Sequence, residues 1–136
     1  MAITFVFFIC LTTFSFGQTI VDCAAGPVNT TYCYVNSDTT QFVFTNTDGF
    51  PLNVYFNAGQ VEANFDELIV LDSDGVTNLN AATPYGNNGD LTGITYQSSG
   101  DTITIQINSD SVISCETNAF TPWDFDIWCQ TCINPT

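Results

Sequence analysis

Fourteen carboxylates and six cysteines are the groups in this chain with chemistry to offer, and no lysine, arginine or histidine stands among them. Glu62, Asp66 and Glu67 fall close enough together to supply the two acids that glycoside hydrolysis requires. No histidine or lysine is present to serve as a base, and a chain this short rarely builds a deep cleft as well as a core. Binding is therefore the stronger reading and catalysis the weaker. The formal charge of −14 also excludes nucleic acid as a partner, because nothing can neutralise phosphates. Anionic lipid surfaces are disfavoured for the same reason. Self-repulsion of this size has to be offset, and a divalent cation or disulfides are the available means.

Six cysteines occur, and five of them, Cys23, Cys33, Cys115, Cys129 and Cys132, lie beyond an apolar leader. In an exported chain they read first as disulfide partners. Cys23 and Cys33 bracket a Gly-Pro loop, and Cys115 and Cys129 bracket an expected hairpin, so pairing of neighbours is the simplest assignment. It leaves Cys132 to bond beyond the domain. The Cys129-x-x-Cys132 spacing alone does not make a zinc or redox site, since a second such pair and every histidine are missing. Among the aromatics, Trp123 is assigned to the core. Tyr85 and Trp128 are the candidates for a ligand platform, with cross-sheet packing as the competing role.

These groups must be positioned by strands. Period-two alternation runs through Gln41–Thr45, Leu52–Phe56, Leu91–Gln97, Thr102–Asn108 and Trp123–Cys129. Leu68–Leu71 is a continuous apolar run, expected to be a strand buried on both faces. Asp48-Gly49, Asp72-Ser73-Asp74-Gly75 and Ser98-Ser99-Gly100-Asp101 supply turns, and residues 77–89 form a long connection. No stretch keeps a helical period. Short strands with short links predict an all-β antiparallel sandwich.

Residues 1–17 are apolar and end on small residues, which predicts a secretory signal, although its basic n-region is missing. Residues 18–131 would then form one domain, and 132–136 the start of a linker to further modules. No later segment is apolar enough to cross a membrane, so the mature protein is expected to be secreted or displayed at the cell surface.

Three stretches together resemble a known family. Phe65-Asp66-Glu67-Leu68-Ile69-Val70 followed by Asp74-Gly75 resembles the aromatic-Asp-x-Leu-x-Val…Asp-Gly signature of CUB domains. Residues 98–105 followed by Ser109-Asp110-Ser111 are similar to that family's Ser-Ser-Gly turn, penultimate strand and Ser-Asp loop. Residues 122–129 are similar to the last strand of CUB-like modules in large secreted, adhesin-type and gliding-type proteins of Bacteroidetes. The matches cover about residues 48 to 129. The chain departs where animal CUB domains carry an early cysteine, a position held here by Asn64.

The resemblance implies a CUB-like jelly roll and, at one end of it, a Ca²⁺ site. Asp66 matches the Asp after the aromatic residue and Asp110 the Ser-Asp loop. Glu62 is the nearest candidate for the third acid, at a shorter spacing than the family shows. Asn108, Ser111 and loop carbonyls would complete the six to eight oxygens that calcium takes. The competing role for Asp66 and Asp110 is to cap turns. The function implied is recognition of an extracellular glycan or protein. The alternatives are an accessory carbohydrate-binding module of a secreted enzyme and a structural unit assembling by strand exchange.

Overall fold

Alternation of apolar and polar side chains decides which face of each strand is buried, and here it builds two sheets. The computed structural model describes residues 17–131. The expected leader, Cys132 and the linker therefore lie outside the described residues, apart from Gly17. In chain order the elements are β1 (Thr19–Ile20), β2 (Val28–Tyr32), β3 (Gln41–Thr45), β4 (Leu52–Ala58), β5 (Glu67–Leu71), β6 (Thr95–Gln97), β7 (Thr102–Asn108), α1 (Cys115–Asn118) and β8 (Trp123–Cys129). One sheet has the order β1-β3-β7-β5 and the other β2-β8-β4-β6. All pairings are antiparallel except β1 with β3, which is parallel.

The inward faces meet in one core. Phe44, Leu68, Val70, Ile103, Ile105 and Ile107 come from the first sheet, and Val54, Phe56, Trp123, Phe125 and Ile127 from the second; all are buried. β8 alternates as its sequence requires, with Trp123, Phe125, Ile127 and Cys129 buried and the residues between them half-buried. Phe56 meets Phe125 at 5.1 Å and Trp123 at 5.7 Å between ring centroids, so aromatic packing dominates the centre of that sheet.

Four expectations are corrected. The strand foreseen over Leu91–Gln97 is reduced to β6, because Leu91 to Ile94 form a turn: Ile94 N donates to Leu91 O at 3.1 Å, and Gly93 has φ +85°. The run Leu68–Leu71 is not buried on both faces. It lies on an edge strand, with Leu68 and Val70 buried and Ile69 and Leu71 half-buried. No hairpin joins Cys115 to Cys129. Ser114 and Thr117 instead form a capping box that starts α1, which Ala119 ends in the left-handed conformation.

The disulfides are also repaired. The bonds are Cys23–Cys129 and Cys33–Cys115, not Cys23–Cys33 and Cys115–Cys129. The reason is the pairing of β2 with β8. Because Val28 lies opposite Ile127 and Tyr32 opposite Trp123, the chain before β2 meets the end of β8, and the chain after β2 meets the segment that leads into β8. Cys23 and Cys33 sit beyond opposite ends of a five-residue strand. A strand of that length spans roughly 16 Å, far outside the reach of one disulfide.

Between β2 and β3, Asp38 is 5% exposed and organises the loop. Its carboxylate accepts from Tyr32 Oη at 2.6 Å, Thr40 N at 2.9 Å and Val35 N at 3.1 Å. Burial disfavours the charged form, but the bonds from Thr40, Tyr32 and Val35 outweigh it and hold the pKa below 3.8. A lowered folded-state pKa gives stability that is present above the unfolded value and is lost as pH falls through the folded one. The acid-unfolding limb below pH 3.8, followed by tryptophan fluorescence, is therefore expected to be shallower in Asp38→Asn than in the wild type.

Candidate metal centre

β5 begins at Glu67 and β7 ends at Asn108, and these two residues are paired in register. The residues just outside that pair, Asp66 and Asp110, therefore leave the sheet at the same end. Glu62 joins them through a tight turn: Asp66 N donates to Glu62 O at 3.0 Å, and Phe65 N to the same oxygen at 3.2 Å. A four-residue spacing closed in this way puts both side chains on one side of the turn. Asn64 makes the turn feasible with φ +73°, a conformation asparagine accepts more readily than most residues. The structure thus brings together all three acids expected from the sequence. Each offers a carboxylate oxygen, and these atoms lie within 4.8 Å of one another.

Asp66 is the fixed member, with no exposed surface. Its Oδ1 accepts from Asp110 N at 2.9 Å and its Oδ2 from Tyr34 Oη at 2.7 Å. The Tyr34 hydroxyl in turn accepts from Glu62 N at 3.2 Å, so one buried phenol ties the two loops together. Burial, with the bond to Asp66, pushes that hydroxyl far above its usual range and keeps it a donor. Asp110 Oδ1 accepts from Val112 N at 3.1 Å. Glu62 Oε2 is buried and finds no hydrogen-bond partner. Desolvation, with the charges of Asp110 and Asp66, raises the Glu62 pKa above its ordinary value. Three carboxylates with an orphaned oxygen and no cationic side chain form a donor set that fits a hard cation.

Tyr34 was not foreseen from the sequence. It follows Cys33, and nothing in its neighbourhood separates it from any buried aromatic. The Cys33–Cys115 bond and a hydrogen bond from Glu116 N to Tyr34 O at 3.1 Å hold it in place. Of the further oxygen donors expected, Asn108 is exposed and its amide reaches Glu67 Oε2 at 3.4 Å across the β5–β7 pair, and Ser111 is exposed. The two platform aromatics are placed apart. Tyr85 lies in the connection after β5, half-buried against the core, whereas Trp128 lies on the outer face of β8 opposite Asn53.

Solved structures share this arrangement of two sheets. The CUB2 domain of MASP-1 bound to Ca²⁺ matches with a TM-score of 0.60 at 14% identity, over 83% of this chain and 98% of that one. The CUB1-EGF-CUB2 region of human MASP-1/3 matches with a TM-score of 0.61 at 13% identity, over 85% of this chain. The full extracellular region of zebrafish Gpr126/Adgrg6 gives 0.59 at 14% identity, over 82% of this chain.

The chain has a CUB-like fold.

This CUB-like chain spans 42% of the MASP-1/3 segment and 14% of the Gpr126/Adgrg6 region. No protein-family model and no curated protein sequence matches it. Among the described residues, no helix is long and apolar enough to cross a membrane.

Proposed function

We propose that the chain is a calcium-assisted extracellular binding module that recognises a glycan or protein, part of a larger secreted or cell-surface protein of the adhesin type. The convergence of Glu62, Asp66 and Asp110 within 4.8 Å, in a chain with no cation of its own, carries this reading. Ca²⁺ would neutralise the three carboxylates and fix the Glu62–Asp66 turn against the Asp110 loop. That would make the end of the sandwich a rigid surface for a ligand. Two supports come from outside the site. Two disulfides suit an oxidising compartment, and one similar CUB domain is described as bound to Ca²⁺. Residues 1–17 would direct export and then be removed, and residues 132–136 would lead on to further modules. We read the module as a binder rather than an enzyme because its carboxylates have no histidine or lysine to work with.

Thermal unfolding in 1 mM Ca²⁺ against NaCl of equal ionic strength tests the proposal. With a Kd of about 0.1 mM, the weak end for extracellular sites, calcium adds roughly 1.4 kcal/mol. The expected rise in Tm is roughly 5 °C. Asp110→Asn should abolish this rise and keep the gain that screening gives to any acidic chain. An equal calcium response in wild type and Asp110→Asn would remove the site from consideration.

A further inference from the structure

The connection between β5 and β6 folds back against the end of β4 and forms a half-open cavity of about 330 Å³, lined by Gly59, Gln60, Asn88, Asp90, Thr92 and Thr121. We propose that this cavity is a second binding site, which holds one sugar unit of a neutral or amino-bearing glycan. Apart from Gly59, every lining residue has a polar side chain, and none is aromatic or cationic. An apolar ligand would strip amides and hydroxyls of water and return no hydrogen bond. An anionic ligand would face Asp90 with no cation in the whole chain to receive it. A sugar hydroxyl both donates and accepts, and a wall of one carboxylate, two amides and two hydroxyls answers it in both senses.

The walls are laced together before any ligand arrives. Gln60 N donates to Thr121 O at 3.1 Å, Val61 N to Gly89 O at 2.9 Å, and Leu91 N to Gly59 O at 3.0 Å. These bonds join the three stretches of chain that line the cavity, so little ordering is left for binding to impose. Gly89 permits the closest of these approaches: with φ +95°, a Cβ there would stand 2.6 Å from Val61 O. Asp90 Oδ1 accepts from Thr92 N at 2.9 Å, and bonds from the backbone and side chain of Thr92 favour the ionised form. Gln60 accepts from Thr121 N through Oε1 at 3.4 Å, which turns its NH₂ group free to donate. Asn88 is exposed, with φ +49°. A neighbouring depression of about 350 Å³ shares Asp90 and Thr92, so a second sugar unit has room beside the first.

The inference rests on the reading of the chain as a binding module and is independent of calcium. Its test is an amide-resolved NMR titration of the full chain with methyl glycosides of glucose, galactose, mannose and N-acetylglucosamine, with glucosamine, and with glucuronic acid as the anionic comparison. At least one neutral or amino sugar should shift the amides of Gln60, Gly89, Asp90 and Thr121 saturably in the millimolar range, and glucuronic acid should not. Asn88→Gly removes the amide and keeps the left-handed backbone, and Asp90→Asn keeps an acceptor for Thr92 N. Each should weaken binding at least tenfold. The titration is run both in 1 mM Ca²⁺ and in EDTA, so that loss of the calcium response and loss of sugar binding are read separately. The proposal is overturned if no sugar gives a saturable shift, if both cavity variants titrate like the wild type, or if glucuronic acid binds as tightly.

Discussion

Replacing Cys23 and Cys129 together by alanine is expected to cost roughly 3.5 kcal/mol, and removing both disulfides roughly 8 kcal/mol. The two bonds are nested, with sequence separations of 106 and 82. While Cys33–Cys115 is intact, the outer bond closes a ring of only about 25 residues, which is why its separate loss is moderate by the chain-entropy argument. When the inner bond is also lost, the unfolded chain regains the freedom of a loop of about 80 residues. A cost near 8 kcal/mol is comparable with the whole stability of a domain of this size. Guanidinium unfolding of the single-pair and double-pair variants measures both figures. Peptide mapping without reduction should recover Cys23 linked to Cys129; recovery of Cys23 linked to Cys33 would contradict the β2–β8 geometry.

Trp123→Ala should be the most damaging single substitution outside the cysteines, at about 3–5 kcal/mol. The indole is fully buried, stands edge-on to Phe56 at 5.7 Å and lies 6.2 Å from Tyr34. Its Nε1 donates to Gln60 O at 3.3 Å. The substitution therefore opens a cavity, orphans a carbonyl and removes the support of the phenol that positions Asp66. Two readouts separate these effects. Denaturant unfolding gives the stability loss, and the calcium-dependent rise in Tm should shrink in Trp123→Ala more than in Trp123→Phe, which keeps an aromatic ring beside Tyr34. Equal calcium responses in the two variants would show that Trp123 serves the core alone.

Where sequence and structure agree, the cause is alternation. β3, β7 and β8 fall where period-two patterning placed them, because a strand with one buried face must write that face into every second residue. β2 was missed since Val28-Asn29-Thr30-Thr31-Tyr32 faces the core with only Val28, Thr30 and Tyr32, too weak an apolar signal beside its exposed Asn29 and Thr31. Disulfide partners depend on which strands are neighbours, and no spacing along the chain carries that information. The acids of the candidate site were legible because Phe65-Asp66 and Ser109-Asp110-Ser111 resemble CUB-domain motifs, with Glu62 as the nearest further acid. Tyr34 was not, since a hydroxyl that bridges two loops looks like any core tyrosine until the loops are in place.

The Cys23–Cys129 bond also has a mechanical meaning. Cα atoms 5.2 Å apart join the start of the chain after β1 to the end of β8, so tension applied at Cys23 and Cys129 passes through the sulfurs, and β1, which precedes Cys23, is the strand left in the load path. The polypeptide between them, roughly 350 Å if drawn out, cannot be paid into the load path while that bond holds. A domain so closed behaves under pull as a short, inextensible link. The loops between the two cysteines would keep their geometry at forces that extend an unbridged sandwich.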